Sequence, residues 1–250
     1  MEWSDHVIVL RIGHFRESDL WLKLLCKKQG LQTAFAFGGS RSHKRFCGCL
    51  DIFNTLHCHI KTNNRHNFVT LQEAVLLDGP KHLRKNWQRM GLATNCIRFL
   101  EAIGVNEECA QEAFIVIEDM RNALENNENI PSLFPLFFRF RIASALGFAP
   151  NLYQCDMCNK NIEKDAVFLL NEGQIRCTSC LLKNKNHNPY IVTLTNKGLD
   201  LLRFVQQKLP SSWPIEEITL NDKQSCAHAI DGFVQYHLGL AWLNNHFQHV

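Results

Sequence analysis

Apolar and polar residues alternate through much of residues 1–80, a period of two that is typical of short β-strands. The alternating runs cover 7–12, 20–25, 31–37, 50–60 and 68–77. Polar or glycine-containing segments separate the runs, including a predicted Asn-rich turn at Thr62–Arg65. Five strands joined by polar turns predict a small barrel of the size of an OB-fold.

The period changes to a helical one after Asp78–Pro80. Apolar residues then recur every three or four positions, and the predicted helices continue to about Gly147. Pro150 ends this region, because proline disfavours the helical conformation in the residue before it. Two more helices are predicted further along, one beginning at Thr195 and the last running from Ser225 to about Phe247.

Four cysteines lie between these helical regions in two Cys-x-x-Cys pairs, with eighteen residues between the pairs. They are Cys155, Cys158, Cys177 and Cys180. This spacing is typical of a structural zinc site. Four thiolates complete a tetrahedral shell and leave no position open for a reacting water, so we predict one structural Zn²⁺. Redox-active or vestigial thiols are the alternative, and His187 is a less favoured additional ligand.

These patterns together predict an α+β multidomain protein. An N-terminal OB-fold β-barrel is followed by a central and C-terminal helical bundle, into which a four-cysteine zinc module is inserted. The predicted segments are 1–80 for the barrel, 81–150 for the helical domain, 151–190 for the zinc module and 191–250 for the C-terminal helices that complete the helical domain.

The sequence contains none of the common catalytic motifs. A phosphate-binding loop, a dinucleotide-binding glycine motif, a His-Glu-x-x-His zinc motif and a nucleophile elbow are all missing. We therefore predict that the protein is not an enzyme. With 46% hydrophobic and 20% charged residues and an acidic N-terminal segment, the chain is predicted to be a cytoplasmic globular protein.

Basic residues cluster within the predicted barrel, although the formal net charge is only +3. One group follows the second strand and the other occupies the loop after the third. The candidates for nucleic-acid binding are Lys23, Lys27, Lys28, Arg41, His43, Lys44 and Arg45. Four potentially cationic groups within five residues repel one another, and an anion relieves that repulsion. A solvated surface turn is the alternative interpretation of this loop.

Single-stranded nucleic acid is the anion that this combination favours, because small barrels bind it with cationic loops and exposed aromatic rings. Trp21, Phe35, Phe37 and Phe46 are candidates for stacking on bases, although a role in filling the core is favoured for Phe35 and Phe37. A zinc-containing module that binds RNA or acts with transcription remains a second hypothesis, and a metal hydrolase a third.

Three stretches of the sequence resemble the RecO family of bacterial recombination mediators. They are Gly13–Asp19, Gly38–Phe53, and most specifically Phe138–Leu152, which leads directly into Cys155. The resemblance implies an OB-fold, a helical bundle and an inserted zinc module, although some members of the family lack the cysteines. It also implies a protein of the bacterial cytoplasm that is associated with the nucleoid.

The function implied by the resemblance is DNA repair by recombination in the RecF pathway. Members of this family bind single-stranded and double-stranded DNA and anneal complementary strands. They act with RecR, bind the acidic C-terminal tail of single-stranded-DNA-binding protein, and help to load RecA. Arg139 and Arg141 are the basic candidates for binding that tail, while contact with DNA or pairing with Glu101 or Glu118 are the alternatives.

Overall fold

A computed structural model describes residues 1–62, 68–182, 190–214, 219–244 and 246–250. Residues 63–65 of the turn predicted at Thr62–Arg65, and the candidate ligand His187, lie outside these residues. The chain folds into two compact units. Residues 1–91 and 104–126 form the first unit, and residues 92–103 and 127–250 form the second.

The first unit contains a closed five-stranded barrel with the strand order β1-β2-β3-β5-β4. The strands are β1 (Glu2–His14), β2 (Leu20–Cys26), β3 (Gly30–Ala36), β4 (Thr55–Thr62) and β5 (Val69–Asp78). Neighbouring strands are antiparallel except β3 and β5, which pair in parallel at Ala34–Val69 and Phe35–Thr70. The predicted N-terminal barrel is confirmed.

The core of the barrel consists of the inward-facing residues of all five strands. Val7, Leu22, Leu24, Leu56 and Ile60 are fully buried there, as the period of two predicts. The predicted start of the fourth strand at Leu50 is wrong, because β4 begins at Thr55. Residues 50–54 form turns instead, and Phe53 adopts a left-handed conformation with φ 64°.

Helix α2 (Ala110–Asn126) belongs to the same unit as the barrel and is joined to it by a buried arginine. The Arg121 guanidinium is 2% exposed and donates hydrogen bonds to Thr55 Oγ1 at 2.8 Å and Asp78 Oδ2 at 2.5 Å. Arg121 therefore fixes α2 against the adjoining ends of β4 and β5.

The second unit contains most of the helices and two small sheets. Its helices are the end of α1 (Trp87–Ile103), α3 (Phe134–Ala145), α4 (Thr178–Leu181), α5 (Asn196–Gln207) and α6 (Leu220–Leu238). Strands β6 (Ala166–Leu169), β7 (Gln174–Cys177) and β8 (Ile191–Leu194) form a sheet with the order β7-β6-β8. Buried phenylalanines, among them Phe138, Phe140 and Phe233, fill the core of this unit.

The prediction that the last helix continues to Phe247 is wrong. Helix α6 ends at Leu238, because Gly239 adopts a left-handed conformation with φ 62° and caps it. The chain then forms a hairpin of β9 (Leu240–Leu243) and β10 (His246–His249). The apolar residues after Gly239 have a spacing that fits a helix, but the glycine cap interrupts the helical backbone.

One buried carboxylate connects the N-termini of α5 and α6. Thr195 and Thr219 are the N-cap residues, and their hydroxyls donate to the two oxygens of Asp222 at 2.6 and 2.7 Å. These hydrogen bonds hold the pKa of Asp222 below its usual range.

No helix in the described part of the chain is long and apolar enough to cross a membrane.

Candidate nucleic-acid interface and metal centre

The loop after β3 is the most cationic exposed segment among the predicted sites. Arg41, His43, Lys44 and Arg45 are all exposed. The turn before β2 holds the start of the loop in place, because the Gly38 amide donates to Asp19 Oδ1 at 2.7 Å and the Ser40 amide donates to the Ser18 carbonyl at 3.1 Å. The loop is therefore ordered by backbone contacts that leave its charged side chains at the surface.

The cations of this loop have different neighbours. Arg41 forms an exposed ion pair with Glu17 at 2.9 Å. Arg45 donates to the Phe37 carbonyl, and its guanidinium lies over the ring of Phe46 at 5.0 Å. Because Arg45 also supports the loop, Arg41 and Lys44 are the better residues for testing the effect of charge alone.

The three lysines of β2 and its turn do not belong to this loop. Lys23 faces outward from the middle of β2 and donates to Thr33 Oγ1 at 3.3 Å. Lys27 lies over the ring of Phe114 in α2 at 5.8 Å, and Lys28 is exposed in the turn after β2. Since β2 is seven residues long, these two lysines are separated from the Arg41 loop by about 20 Å of strand.

A continuous row of aromatic rings lies on the outer face of the barrel beside the loop. Phe35 has ring centroids of Phe15, Phe37 and Phe68 at 5.1, 6.3 and 4.8 Å. Phe15 and Phe37 are 41% and 42% exposed, so their rings are accessible to a ligand. We call these four residues the aromatic row.

The tryptophan of β2 extends the same face. Trp21 lies opposite Gly13 on β1 and Phe35 on β3, and the Arg11 guanidinium lies over its ring at 5.8 Å. A Cβ atom at Gly13 would approach Trp21 Nε1 to 2.4 Å, which explains why a glycine occupies that position. The outer face of β1, β2 and β3 thus combines aromatic rings with the cations Arg11 and Lys23.

The structure corrects the predicted roles of three aromatic residues. Phe46 is fully buried in the barrel core and cannot stack on a base. Phe35 lies outside that core on the outward-facing side of β3, and Phe37, the residue after β3, is exposed, so neither fills the core as the sequence predicts. Sequence reasoning missed Phe15 and Phe68, which lie just outside the regular strands. The sequence feature that could have identified them is a phenylalanine next to the end of a predicted strand.

The four predicted metal ligands come together in the second unit. The sulfurs of Cys155, Cys158, Cys177 and Cys180 all lie within 4.8 Å of one another, and Cys158 Sγ is 4.0 Å from Cys177 Sγ. Tetrahedral coordination at the usual Zn–S bond length of about 2.3 Å requires sulfurs separated by about 3.8 Å. The donor set therefore fits a metal ion that prefers tetrahedral thiolate coordination.

Local structure brings the two cysteine pairs together. The first pair lies in a tight turn, where the Asn159 amide donates to the Cys155 carbonyl at 2.9 Å. The second pair spans the end of β7 and the short helix α4. Arg176 Nε donates to Asp156 Oδ1 at 2.9 Å, and both side chains of this ion pair are mostly buried. This ion pair links the turn that holds Cys155 and Cys158 to the segment that holds Cys177 and Cys180.

The thiols of this cluster differ in acidity. Burial opposes ionisation of Cys155, but backbone N–H groups of Cys177, Cys158 and Met157 donate to its sulfur and lower its pKa to about 7. Hydrogen bonds with the other three cysteines raise the pKa of Cys180 to about 12. Four thiolates at these separations repel one another, and a bound cation would offset their charge.

The two arginines predicted to bind a partner have different environments. Arg139 is 7% exposed, and its guanidinium pairs with Asp231 at 2.7 Å rather than with Glu101 or Glu118. It lines a groove of about 410 Å³ together with its partner Asp231 and with Leu136, Val234, Gln235, Leu240, Ala241, Trp242 and Phe247. Arg141 is half-buried and does not line this groove.

Comparison with known proteins covers nearly the whole chain. The family described as Recombination protein O N terminal matches residues 1–80, and the family described as Recombination protein O C terminal matches residues 84–246. The DNA repair protein RecO of Nitratidesulfovibrio vulgaris is 40% identical over 253 residues, covering 99% of both chains. That of Lawsonia intracellularis is 39% identical, again with 99% coverage of both chains. The chain therefore belongs to the RecO family of DNA repair proteins.

Proposed function

We propose that this protein binds single-stranded and double-stranded DNA and anneals complementary strands as a recombination mediator. The aromatic row with the adjacent cationic loop is the observation that carries the proposal. Exposed rings offer surfaces on which unpaired bases stack, and Arg41, His43 and Lys44 offer positive charge to phosphates. Membership of a DNA repair family supports DNA as the ligand.

Annealing of this kind requires no covalent chemistry. Two phosphate backbones repel each other, and a cationic surface that neutralises part of that charge allows bases to find their partners. Contacts with phosphate are independent of sequence and weaken with salt, because binding releases counterions. The family resemblance supports RecR and single-stranded-DNA-binding protein as partners, and loading of RecA as the outcome. The four cysteines would hold a structural Zn²⁺ that organises the second unit.

Replacing Arg41 and Lys44 together by alanine tests the cationic loop. We expect a roughly tenfold loss of affinity for single-stranded oligonucleotides of any sequence at physiological salt. The slope of log K against log salt should become shallower by about 1.4, since each lost phosphate contact on a single strand contributes about 0.7. Fluorescence anisotropy at several salt concentrations measures both quantities.

Two variants control this experiment. Replacing Lys28, at the other end of β2, by alanine removes a cation from the same unit and should change the slope less than the loop variant. Replacing Glu17 by glutamine removes the ion pair with Arg41 and should strengthen binding a few-fold. Wild-type affinity and slope in the Arg41/Lys44 variant would exclude the loop from the interface.

Competition with structured RNA tests the alternative of an RNA-binding module.

The acidic tail of single-stranded-DNA-binding protein is proposed to bind the groove that Arg139 lines. Trp242 and Phe247 provide apolar walls for an aromatic side chain. The Arg139 guanidinium lies at the wall of the groove and pairs there with Asp231, so a carboxylate of the tail would compete with Asp231 for it. Arg141 remains the candidate for binding acidic residues further along the tail.

A peptide titration tests this groove. The Trp242→Ala variant is expected to bind an acidic peptide that ends in a phenylalanine carboxylate at least tenfold more weakly, because one apolar wall of the groove is lost. Amidating the peptide's C-terminus should weaken wild-type binding similarly, since the charge that Arg139 recognises is then lost. Calorimetry measures the affinities, and Arg141→Glu is measured separately. Unaltered affinity in Trp242→Ala would place the peptide elsewhere.

A further inference from the structure

A second basic segment follows the barrel in the sequence. No aspartate or glutamate occurs from Gly79 to Leu100. The same stretch contains His82, Trp87 and the five basic residues Lys81, Arg84, Lys85, Arg89 and Arg98. Such an unbroken run of one charge sign is a candidate contact surface for a polyanion.

The first part of this run is anchored to the barrel unit by hydrogen bonds and by one buried side chain. Arg84 Nε donates to the Ile52 carbonyl at 2.9 Å, and its Nη2 donates to Asn54 Oδ1 at 2.6 Å. Leu83 is fully buried, and the backbone amides of residues 81–83 donate to the Glu125 carboxylate. The inward-facing residues Leu83 and Arg84 therefore anchor the segment and leave the others at the surface.

Trp87 is the most exposed large aromatic side chain of the described residues, at 81%. It lies at the start of α1 beside a shallow depression of about 480 Å³. The depression is lined by His82, Lys85, Asn86, Trp87, Gln88 and Arg89. Two acids contact this segment: the Glu125 carboxylate accepts hydrogen bonds from three backbone amides, and Asp51 pairs with Arg84 at 3.3 Å. The accessible indole of Trp87 therefore has the basic residues His82, Lys85 and Arg89 as neighbours.

We propose that this surface, defined by His82, Lys85 and Trp87, is a second contact site for single-stranded DNA. An unpaired base would stack on the Trp87 indole while Lys85 and His82 contact the adjacent phosphates. The proposal rests on the DNA binding proposed above and adds a site that is separate from the aromatic row.

The shape of the site favours a nucleotide over an acidic peptide. A peptide with an aromatic end needs enclosed apolar walls, as in the groove of the second unit, whereas here the aromatic face is open and its neighbours are polar or cationic. An open ring flanked by cations matches a base and its phosphates. With two such sites on one compact unit, two segments of DNA can be held at the same time, which is what annealing requires.

The test compares Trp87→Ala and Trp87→Phe with the wild-type full-length protein. The probes are oligothymidylates of about 8 and about 40 nucleotides, because one OB-fold covers roughly 4–16 nucleotides. We expect Trp87→Ala to bind the longer probe about 5- to 100-fold more weakly, with a smaller effect on the shorter one. Trp87→Phe keeps a ring for stacking and should recover most of the affinity.

Fluorescence locates the contact. The difference between the wild-type and Trp87→Phe emission isolates the signal of Trp87, and oligothymidylate should quench it. Phe148→Ala, at an exposed aromatic position of the second unit, is the matched control and should bind like wild type. An oligomer of abasic deoxyribose phosphates should still bind but leave Trp87 unquenched, since it has no bases to stack.

The outcomes separate this inference from the proposed function. If wild-type protein binds no oligonucleotide, the proposed function itself is wrong and this site falls with it. If wild-type protein binds but Trp87→Ala has equal affinity and Trp87 is not quenched, only the second site is refuted. Quenching of Trp87 by an acidic peptide and not by oligothymidylate would also refute it, in favour of a protein partner.

Discussion

Replacing Cys155 and Cys180 together by serine is expected to abolish binding of zinc and to unfold the cysteine segment. Each serine removes one thiolate from a different pair, so neither pair keeps two sulfurs for the ion. Structural zinc contributes about 10–16 kcal/mol of apparent binding free energy in small zinc-binding peptides at neutral pH. A loss of this size exceeds what the Asp156–Arg176 ion pair can offset.

The measurements are metal content and resistance to proteolysis. We expect about one zinc per wild-type chain and none in the variant, with new cleavage sites between residues 155 and 180. Cys109→Ser is the matched control, because Cys109 is partly exposed in the first unit and has no role in the cluster. The Cys109→Ser variant should keep its zinc and its resistance to proteolysis.

The same double variant also tests whether the metal is structural. Its affinity for single-stranded oligonucleotides should stay within about threefold of wild type, because the proposed DNA contacts belong to the barrel unit. Stoichiometric zinc retained by the Cys155/Cys180 variant would refute the four-cysteine site. A complete loss of DNA binding in a variant whose barrel remains folded would show that the cysteine segment contacts DNA itself.

The barrel and the cysteine cluster could be predicted because their signals are local. Alternation at a period of two determines which residues of β2 face the core, and the spacing of Cys155, Cys158, Cys177 and Cys180 limits how their sulfurs can meet. Neither inference needs to know how distant segments pack. The helix boundary at Gly239 was missed, because the apolar residues after it still fit a helical spacing.

The proposed DNA-binding face was harder to predict because it depends on which face of a strand a ring occupies. Phe46 and Phe37 flank the same cationic loop, yet one closes the barrel core and the other is exposed. Loop residues have no fixed period, so the sequence does not reveal that Phe46 turns inward. Phe15 and Phe68 join Phe35 only after β1, β3 and β5 have paired in the barrel. Long-range pairing therefore creates the aromatic row.

Arg139 illustrates the same limit within the helical unit. The sequence places it on the third helix beside Arg141, but its ion-pair partner, Asp231, is 92 residues away on α6. The sequence alone therefore offers Glu101 and Glu118 as partners, which lie closer along the chain than Asp231 does. The period of α3 predicts that some face is buried, while only the packing of α3 against α6 determines that Arg139 belongs to that face.

Replacing Phe15 and Phe37 together by alanine is expected to produce the largest loss of binding to single-stranded DNA. Stacking of a base on an aromatic ring contributes about 1–3 kcal/mol, so losing two rings should cost about 2–6 kcal/mol, or at least roughly 30-fold in affinity. Both side chains are more than 40% exposed, so the folded barrel should lose little stability. Thermal unfolding checks that expectation before affinity is measured.

The pattern of losses distinguishes stacking from charge. The Phe15/Phe37 variant should keep the wild-type salt slope, because it removes no phosphate contact, whereas the Arg41/Lys44 variant should change that slope. Duplex DNA should be affected less than single-stranded DNA, since paired bases are not available for stacking. Phe204→Ala, at a 38% exposed position of the second unit, is the matched control. Equal losses for duplex and single-stranded DNA in the Phe15/Phe37 variant would mean that these rings support the shape of the surface and do not stack on bases.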